Sequence, residues 1–140
     1  MKYLLTICSN DKDPREGLLP ARERYQSDFM QRVIEEGERT ETPVLILSGK
    51  FGLLAPDTEI PDYDHLLVED ELTEMVPLVA GQLEDLEATE ITAYIKKDRT
   101  VPHWGTYYDL IELGAHAAGV SLQYAERESL EPRSETVKLR

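Results

Sequence analysis

Ser48, Gly49 and Lys50 directly follow the apolar run 44–47, and they are residue types suited to binding a small polar ligand. A continuous apolar run between turn-forming residues is typical of a strand buried on both faces. Ligands in open α/β sheets bind beyond the carboxyl ends of such strands. There a lysine can pair with an anion, and a glycine lets the backbone bend or approach the ligand closely. The stretch from Ser48 to His65 is therefore the first candidate for a functional site.

The same stretch, 48–65, is polar, rich in acidic residues and proline, and without clear periodicity. Loops longer than about 12–15 residues without secondary structure are uncommon, and they are usually functional or disordered. Within it, Asp64 could orient His65 for general acid–base catalysis. These two residues are the catalytic candidates. The alternative is a loop held together by its own hydrogen bonds.

Polar residues also follow the first strand-like segment, which ends before Ser9 and Asn10. Both suit hydrogen bonding to a polar ligand, and the alternative is that they form a turn and a cap. The carboxyl ends of parallel strands lie at one edge of a sheet. We therefore expect Ser9, Ser48 and Lys50 to surround one hollow, with Arg22 in the connection that the first strand feeds.

Basic residues are concentrated in the segments that follow the predicted strands, although the chain carries a net charge of −13. This asymmetry predicts a locally positive rim that suits a phosphate or carboxylate, with helix N-termini adding backbone donors. The alternative is an ordinary solvated edge. Eight of the fifteen basic residues lie there, namely Lys12, Arg15, Arg22, Arg24, Lys50, Lys96, Lys97 and Arg99.

Three other kinds of site lack a clear signature. The single cysteine, Cys8, has no recognisable Cys-His-Asp arrangement, which favours a buried core thiol over a nucleophile. Three scattered histidines, without a cysteine pair or a His-x-x-x-His spacing, predict no metal site. The segment 49–52 lacks the glycine run of a Walker loop, and no cofactor is expected.

The stretch SGKFGLLAPDTEIPDYD resembles the S-x-K-[YF]-G-L-L…P…I-x-x-Y-D signature of a small uncharacterised domain related to the peroxide-stress protein YaaA. Cys8-Ser9 and Pro20-Ala21-Arg22…Tyr25 fit the same family, and the resemblance covers roughly Lys2 to Gly119. It implies an α/β domain associated with the stress response, and an association with DNA that rests mainly on larger YaaA proteins. It also supports Lys50 as a ligand-binding residue and adds Tyr25 and Tyr63 to the ligand-binding candidates.

Hydrophobic periodicity predicts four strands and three helices. Ser27 is expected to cap a helix covering at least Asp28–Glu38, and Thr106 to cap the last helix, which Gly119 ends. Pro77 is expected to kink the middle helix or to mark a fresh start of it near Thr73. The predicted strands are Lys2–Cys8, Val44–Leu47, Ile91–Ile95 and Ser121–Ala125, and the middle helix covers residues 72–86.

The order βαβαβαβ predicts a single three-layer α/β/α domain. We expect a four-stranded, mainly parallel sheet with strand order 2-1-3-4, which places the topological switch between strands one and three. The domain is predicted to cover residues 1–127. Residues 128–140 form a charged tail that is expected to be loose or to dock on a partner.

Composition gives some indication of the cellular compartment and of the partners that the protein could bind. The single cysteine and the lack of a signal peptide are typical of a cytoplasmic protein, and no apolar stretch is long enough for a membrane span. The net charge of −13 disfavours nucleic acid, because phosphate neutralisation drives that binding. A halophilic source would also explain the acidity. The oligomeric state is not predicted.

Three functions compete. The first is binding of a small anionic, nucleotide or nucleobase-type ligand at the carboxyl edge of the sheet, with an enzymatic version acting on a base or a glycosidic bond. Trp104 and Tyr107 could stack a base, although packing is the commoner role of such aromatics. The second is a nucleic-acid-associated stress-response module without catalysis. The third is a protein-interaction module that uses the acidic surface and the tail.

Overall fold

The structure, a computed structural model, describes residues 1–94 and 104–125. Several predictions fall outside these residues: the end of the third strand at Ile95, the basic residues Lys96, Lys97 and Arg99, and the tail 128–140. Within the described residues the chain is a mixed α/β protein, as the sequence predicts, with four α-helices rather than the three that periodicity predicts. None of these helices is long and apolar enough to span a membrane.

The main sheet of the described residues has five strands: β1 Lys2–Ile7, β3 Val44–Ser48, β4 Gly52–Leu54, β6 Glu90–Ala93 and β7 Ser121–Tyr124. Their order in the sheet is β4-β3-β1-β6-β7. β1 is parallel to β3 and to β6, and β6 is parallel to β7. β4 is antiparallel to β3 and forms one edge. The predicted four-stranded order is therefore not confirmed as a description of the sheet, because a strand from the predicted loop joins it.

Helices cover both faces of this sheet, as a three-layer fold requires. Successive strand residues point to opposite faces, so Leu4 packs in one core cluster and Leu5 in the other. The α2 residues Met30 and Val33 lie in the cluster with Leu4. Residues of α3 and α4 fill the cluster with Leu5. The helices are α1 Ala21–Arg24, α2 Asp28–Thr40, α3 Leu72–Asp85, after a 3₁₀ turn at Glu69–Glu71, and α4 Trp104–Ala118.

The predicted helix ends are met in part. Ser27 caps α2, because its hydroxyl accepts a hydrogen bond from the Met30 N–H. Gly119 follows α4 with φ +71°, a left-handed conformation that favours glycine. The expectation for Thr106 is wrong, because Thr106 lies inside α4 rather than before it. Pro77 also lies inside α3, which continues through it to Asp85.

The segment between β3 and α3 is not the unstructured loop that its composition predicts. It contains β4 and the short strand β5, Glu59–Ile60, which pairs antiparallel with β2, Leu19–Pro20. The side-chain amide of Gln82 on α3 accepts from the Leu53 N–H at 2.7 Å and donates to the Phe51 carbonyl at 3.2 Å. These bonds occupy backbone groups that an edge strand would otherwise leave open.

A buried arginine holds the connection between β1 and β2. Arg24 is 0% exposed, and its guanidinium donates to four backbone carbonyls at 2.6–3.2 Å. A buried cation is costly unless its donors are satisfied. These carbonyls accept four of its five N–H groups, and its Nε has no hydrogen-bond partner among the described residues. Residues 13–17 are thereby fixed to β5. The four carbonyls belong to Asp13, Arg15, Gly17 and Ile60.

We predict that Arg24→Met destabilises the protein by about 3 kcal/mol, because four backbone carbonyls, of which that of Ile60 is buried, lose a charged donor. Arg22→Met is the matched control on the same helix. Its side chain makes one 3.6 Å contact with the exposed Asp57, and such pairs contribute about 1 kcal/mol or less. Urea denaturation measures both losses. Equal losses in the two variants would contradict the role assigned to Arg24.

Candidate functional site

A pocket of about 280 Å³ lies at the carboxyl ends of β1 and β6. From β1 the chain passes to β3 on one side of the sheet and later to β6 on the other side. The topological switch point therefore lies between β1 and β6. Open α/β sheets bind ligands at this place. We call this cavity the switch-point pocket. It is lined by Thr6, Ile7, Cys8, Ser9, Asn10, Ser27, Phe29, Leu66, Tyr94, Trp104, Tyr107 and Tyr108.

The lining of the switch-point pocket is largely aromatic with a polar margin. Five aromatic side chains come from α2, from the end of β6 and from the start of α4. The polar margin comes from Cys8, Ser9 and Asn10, which follow β1, and from the cap residue Ser27. Apolar walls with a few polar groups are typical of small-molecule sites.

A hydroxyl cluster of Tyr25, Ser48 and Tyr63 lies beside this pocket. Ser48 is 0% exposed, and its Oγ accepts from the N–H groups of Lys50 and Phe51, each at 3.1 Å. A serine hydroxyl has two acceptor lone pairs and one hydrogen. Both lone pairs are occupied, so Ser48 donates its hydrogen to the Tyr63 hydroxyl, 3.1 Å away. The Tyr63 hydroxyl is also hydrogen-bonded to that of Tyr25.

Cys8 lies between the hydroxyl cluster and the pocket. Its Sγ is 4.0 Å from the Tyr107 hydroxyl, which also accepts a hydrogen bond from the Leu67 N–H at 3.3 Å. Burial raises the pKa of the Cys8 thiol above its ordinary value. The Gly49 N–H, the Tyr107 hydroxyl, the Lys12 ammonium and the Tyr63 hydroxyl act in the opposite direction and offset part of this. The thiol is therefore surrounded by groups that favour its anion.

Gly49 permits this arrangement through close approach rather than through a special backbone conformation. A Cβ at this position would lie 2.8 Å from the Tyr107 hydroxyl and 2.9 Å from the Leu67 Cβ. These distances are shorter than van der Waals contact. Any larger residue would push the end of β3 away from α4 and from the Cys8 side chain.

Two lysines stand over the hydroxyl cluster. The Nζ of Lys12 is 4.5 Å from the centroid of the Tyr63 ring, and that of Lys50 is 5.5 Å from it. Neither lysine forms an ion pair with a carboxylate of the described residues. The three other described members of the predicted rim are occupied: Arg15 pairs with Asp13 at 2.9 Å, Arg22 contacts Asp57 at 3.6 Å, and Arg24 is buried.

The predicted ligand-binding residues divide between two places. Ser9 and Asn10 line the switch-point pocket. Ser48 and Lys50 belong to the hydroxyl cluster and its rim and do not line that pocket. The single hollow expected around Ser9, Ser48 and Lys50 is therefore wrong for this pocket, because Ser48 is buried beneath Tyr63.

Three further candidates lie elsewhere. Arg22 contacts Asp57 and lines a separate surface depression with Glu23 and Gln31. The pairing expected between Asp64 and His65 is wrong, because His65 Nε2 lies 2.7 Å from Glu71 at the start of α3. Asp64 is exposed. The His65–Glu71 pair fastens the segment that carries Leu66 and Leu67 towards the pocket.

Sequence reasoning finds only part of the site. Cys8, which the sequence predicts to be a buried core thiol, packs against both core clusters and also lines the pocket. Phe29 and Leu66 line the pocket too, and the sequence gives no functional signal for either. Trp104 and Tyr107, for which the sequence suggests either base stacking or packing, both line the pocket. Of the described residues, no group of three or more His, Cys, Asp or Glu side chains could hold a metal ion.

Together the fold and the pocket define an α/β protein with a mainly parallel sheet and a cavity at its switch point. Residues 4–115 match the model of a family of unknown function (DUF6884), and the chain belongs to this family. No curated protein and no solved structure matches it. The resemblance to YaaA stays a prediction.

We predict that alkaline pH destabilises the fold. Burial is the main cause that raises the pKa of Cys8, Tyr25, Tyr63 and Tyr107 above ordinary values of 9.0 for cysteine and 10.0 for tyrosine. The folded state therefore favours the neutral forms. Stability is complete below the unfolded-state pKa values and falls as pH rises above about 9.

Between pH 8 and pH 11 the free energy of unfolding should fall by about 1.4 kcal/mol less in Tyr25→Phe than in the wild type. The reason is that the variant lacks the Tyr25 ionisation that favours unfolding. Urea denaturation at both pH values gives the difference. Tyr3→Phe, whose hydroxyl donates instead to the Leu86 carbonyl, is the control. A Tyr25→Phe variant with the wild-type decline would show that Tyr25 ionises as easily folded as unfolded.

Proposed function

We propose that the protein binds a small planar ligand of the nucleobase or nucleotide type, with the ring in the switch-point pocket. The carrying observation is the aromatic lining of that pocket at the carboxyl ends of β1 and β6. Aromatic side chains stack on the faces of bases, and each stack contributes about 1–3 kcal/mol. The volume of about 280 Å³ lies just below the usual range of about 300–1,000 Å³ for small-molecule sites.

The polar margin supports a heterocycle rather than a hydrocarbon. Ser9, Asn10 and Ser27 offer hydroxyl and amide groups at the rim of an otherwise apolar cavity. A buried site with unpaired polar groups rejects a ligand that cannot bond to them. The Ser9 Oγ already accepts from the Asp11 N–H, which leaves the amide of the exposed Asn10 as the more available group.

Lys12 and Lys50 support an anionic group on the same ligand. Both ammonium groups flank the Tyr63 ring, beside Cys8 in the pocket lining. In a chain of net charge −13, two lysines without carboxylate partners among the described residues form a local positive site. A phosphate or carboxylate would lie between them, and catalysis on the base or its glycosidic bond is a further part of this proposal.

Thermal-shift and calorimetric titration with nucleobases, nucleosides and 5′-monophosphates test the binding. Saturating ligand raises the unfolding free energy by about 2.7 kcal/mol at a concentration 100 times its Kd.

Trp104→Leu should weaken binding about tenfold, since a stacking surface is lost. Leu113→Ala on the exposed side of the same helix is the matched control. No shift with any of these compounds at millimolar concentration would reject the proposal.

The anionic part has its own prediction. Lys12→Gln and Lys50→Gln should each weaken a 5′-monophosphate about tenfold, because a charge-assisted contact contributes about 1.5–3 kcal/mol, and should leave the nucleoside unaffected. Lys2→Gln is the control, because Lys2 lies at the other end of β1 and pairs with Glu90. If these variants lose equal affinity for the nucleoside and for the monophosphate, the lysines do not bind the phosphate. The proposal is then limited to binding of the base.

A further inference from the structure

We propose that Lys12 and Lys50, which we call the lysine pair, bind a dianionic phosphate monoester and select it over the monoanionic phosphodiesters of a nucleic-acid chain. This inference rests on the proposed function for the presence of a phosphate on the ligand. What it adds is the class of phosphate, and with it the class of partner: a free mononucleotide rather than a polymer.

Both ammonium groups of the lysine pair lie against the same aromatic ring. The Nζ of Lys12 is 4.5 Å from the centroid of the Tyr63 ring and 6.0 Å from that of Tyr25. The Nζ of Lys50 is 5.5 Å from the centroids of both Tyr63 and Phe51. Screening at physiological salt sets in over about 8 Å. One small anion beside the Tyr63 ring therefore interacts with both charges.

The Tyr63 ring that carries the lysine pair is held in place from several directions. Its hydroxyl accepts from Ser48 at 3.1 Å and is hydrogen-bonded to that of Tyr25. The rings of Tyr25 and Phe51 meet it edge to face, with centroids 6.3 Å and 5.2 Å away. A surface that is already fixed loses little conformational freedom when a ligand binds.

The charge of the lysine pair is not cancelled by the part of the chain that the structure describes. Neither ammonium forms an ion pair with a described carboxylate, whereas Arg15 contacts Asp13 and Arg22 contacts Asp57. A phosphate monoester carries nearly two negative charges above its second pKa of about 6. An internal phosphodiester carries one. Two uncancelled positive charges therefore match the monoester.

Exposed carboxylates next to the lysine pair oppose a longer polyanion. Asp62 and Asp64 are the chain neighbours of Tyr63, and Asp11 is that of Lys12, and all three are exposed. A nucleic-acid chain with one phosphate on the lysine pair would bring its other phosphates towards these carboxylates. Like charges at short distance are a common means of excluding a wrong partner. The net charge of −13 adds to this repulsion.

Calorimetric titration at pH 8 with uridine 5′-monophosphate and its methyl ester tests the selection by charge, because the methyl ester carries one negative charge fewer. We expect the wild type to bind the monophosphate at least tenfold more tightly than the ester. Lys12→Gln and Lys50→Gln should each reduce this ratio at least threefold, and the double variant should bring it close to one. Lys2→Gln is the control, because Lys2 pairs with Glu90 at the other end of β1. A wild-type ratio close to one would reject the inference.

A short oligouridine without terminal phosphates tests the discrimination against a chain. We expect the wild type to bind it at least tenfold more weakly than uridine 5′-monophosphate at physiological salt. The double variant Asp62→Asn, Asp64→Asn should narrow this difference at least threefold, because the repulsion is reduced. Glu38→Gln, an exposed residue near the end of α2, is the control. Equal affinity of the wild type for the two ligands would overturn the inference and favour a nucleic-acid partner.

Ribose 5-phosphate and its methyl ester repeat the comparison without a base, and so separate this inference from the proposed function. If ribose 5-phosphate is preferred over its ester through the lysine pair while no nucleoside binds, the phosphate class stands and base binding fails. If uridine binds but the phosphate adds no affinity, this inference is rejected and base binding stands. If uridine, its monophosphate and ribose 5-phosphate all fail to bind at millimolar concentration, the inference is rejected together with the phosphate part of the proposed function.

Discussion

The Ser48 hydroxyl at the end of β3 is the interaction on which the organisation of the carboxyl edge depends. It has no exposed surface, and it accepts two backbone N–H bonds from the turn that leads into β4. Those two bonds fix the direction of its hydrogen, which in turn positions Tyr63. Tyr63 is in turn hydrogen-bonded to the Tyr25 hydroxyl, and the two rings meet edge to face. One small hydroxyl thus connects β3, the segment before α3 and the segment before α2.

The electrostatic environment of each basic residue near the site is set by its neighbours rather than by the net charge of the protein. The net charge of −13 would attract cations everywhere, yet the described basic residues near the site have different environments. Arg24 is solvated by backbone carbonyls inside the protein, and Arg15 pairs with Asp13. Lys12 and Lys50 lie against aromatic faces instead. Cation–π contacts stabilise an ammonium without cancelling its charge, so these two remain available to an anion.

The segment 61–68 forms the boundary between these lysines and the switch-point pocket. Tyr63 is held by the hydroxyl cluster, the Leu67 N–H by Tyr107, and His65 by Glu71. Leu66 between these anchors contributes to the pocket lining. Because the anchors belong to different elements, the shape of the pocket depends on the relative placement of β3, α3 and α4.

The sequence by itself determined the local elements. The buried strand pattern of 44–47, the cap at Ser27 and the stop at Gly119 are decided by neighbours in the chain, and the structure has all three. It also determined that Ser9, Asn10, Trp104 and Tyr107 belong near the carboxyl edge. Only the tertiary structure decided that Ser48 is buried, that His65 pairs with Glu71 rather than Asp64, and that Cys8 lines a pocket. Those outcomes depend on contacts between residues far apart in sequence, and no local pattern specifies which distant side chain meets which.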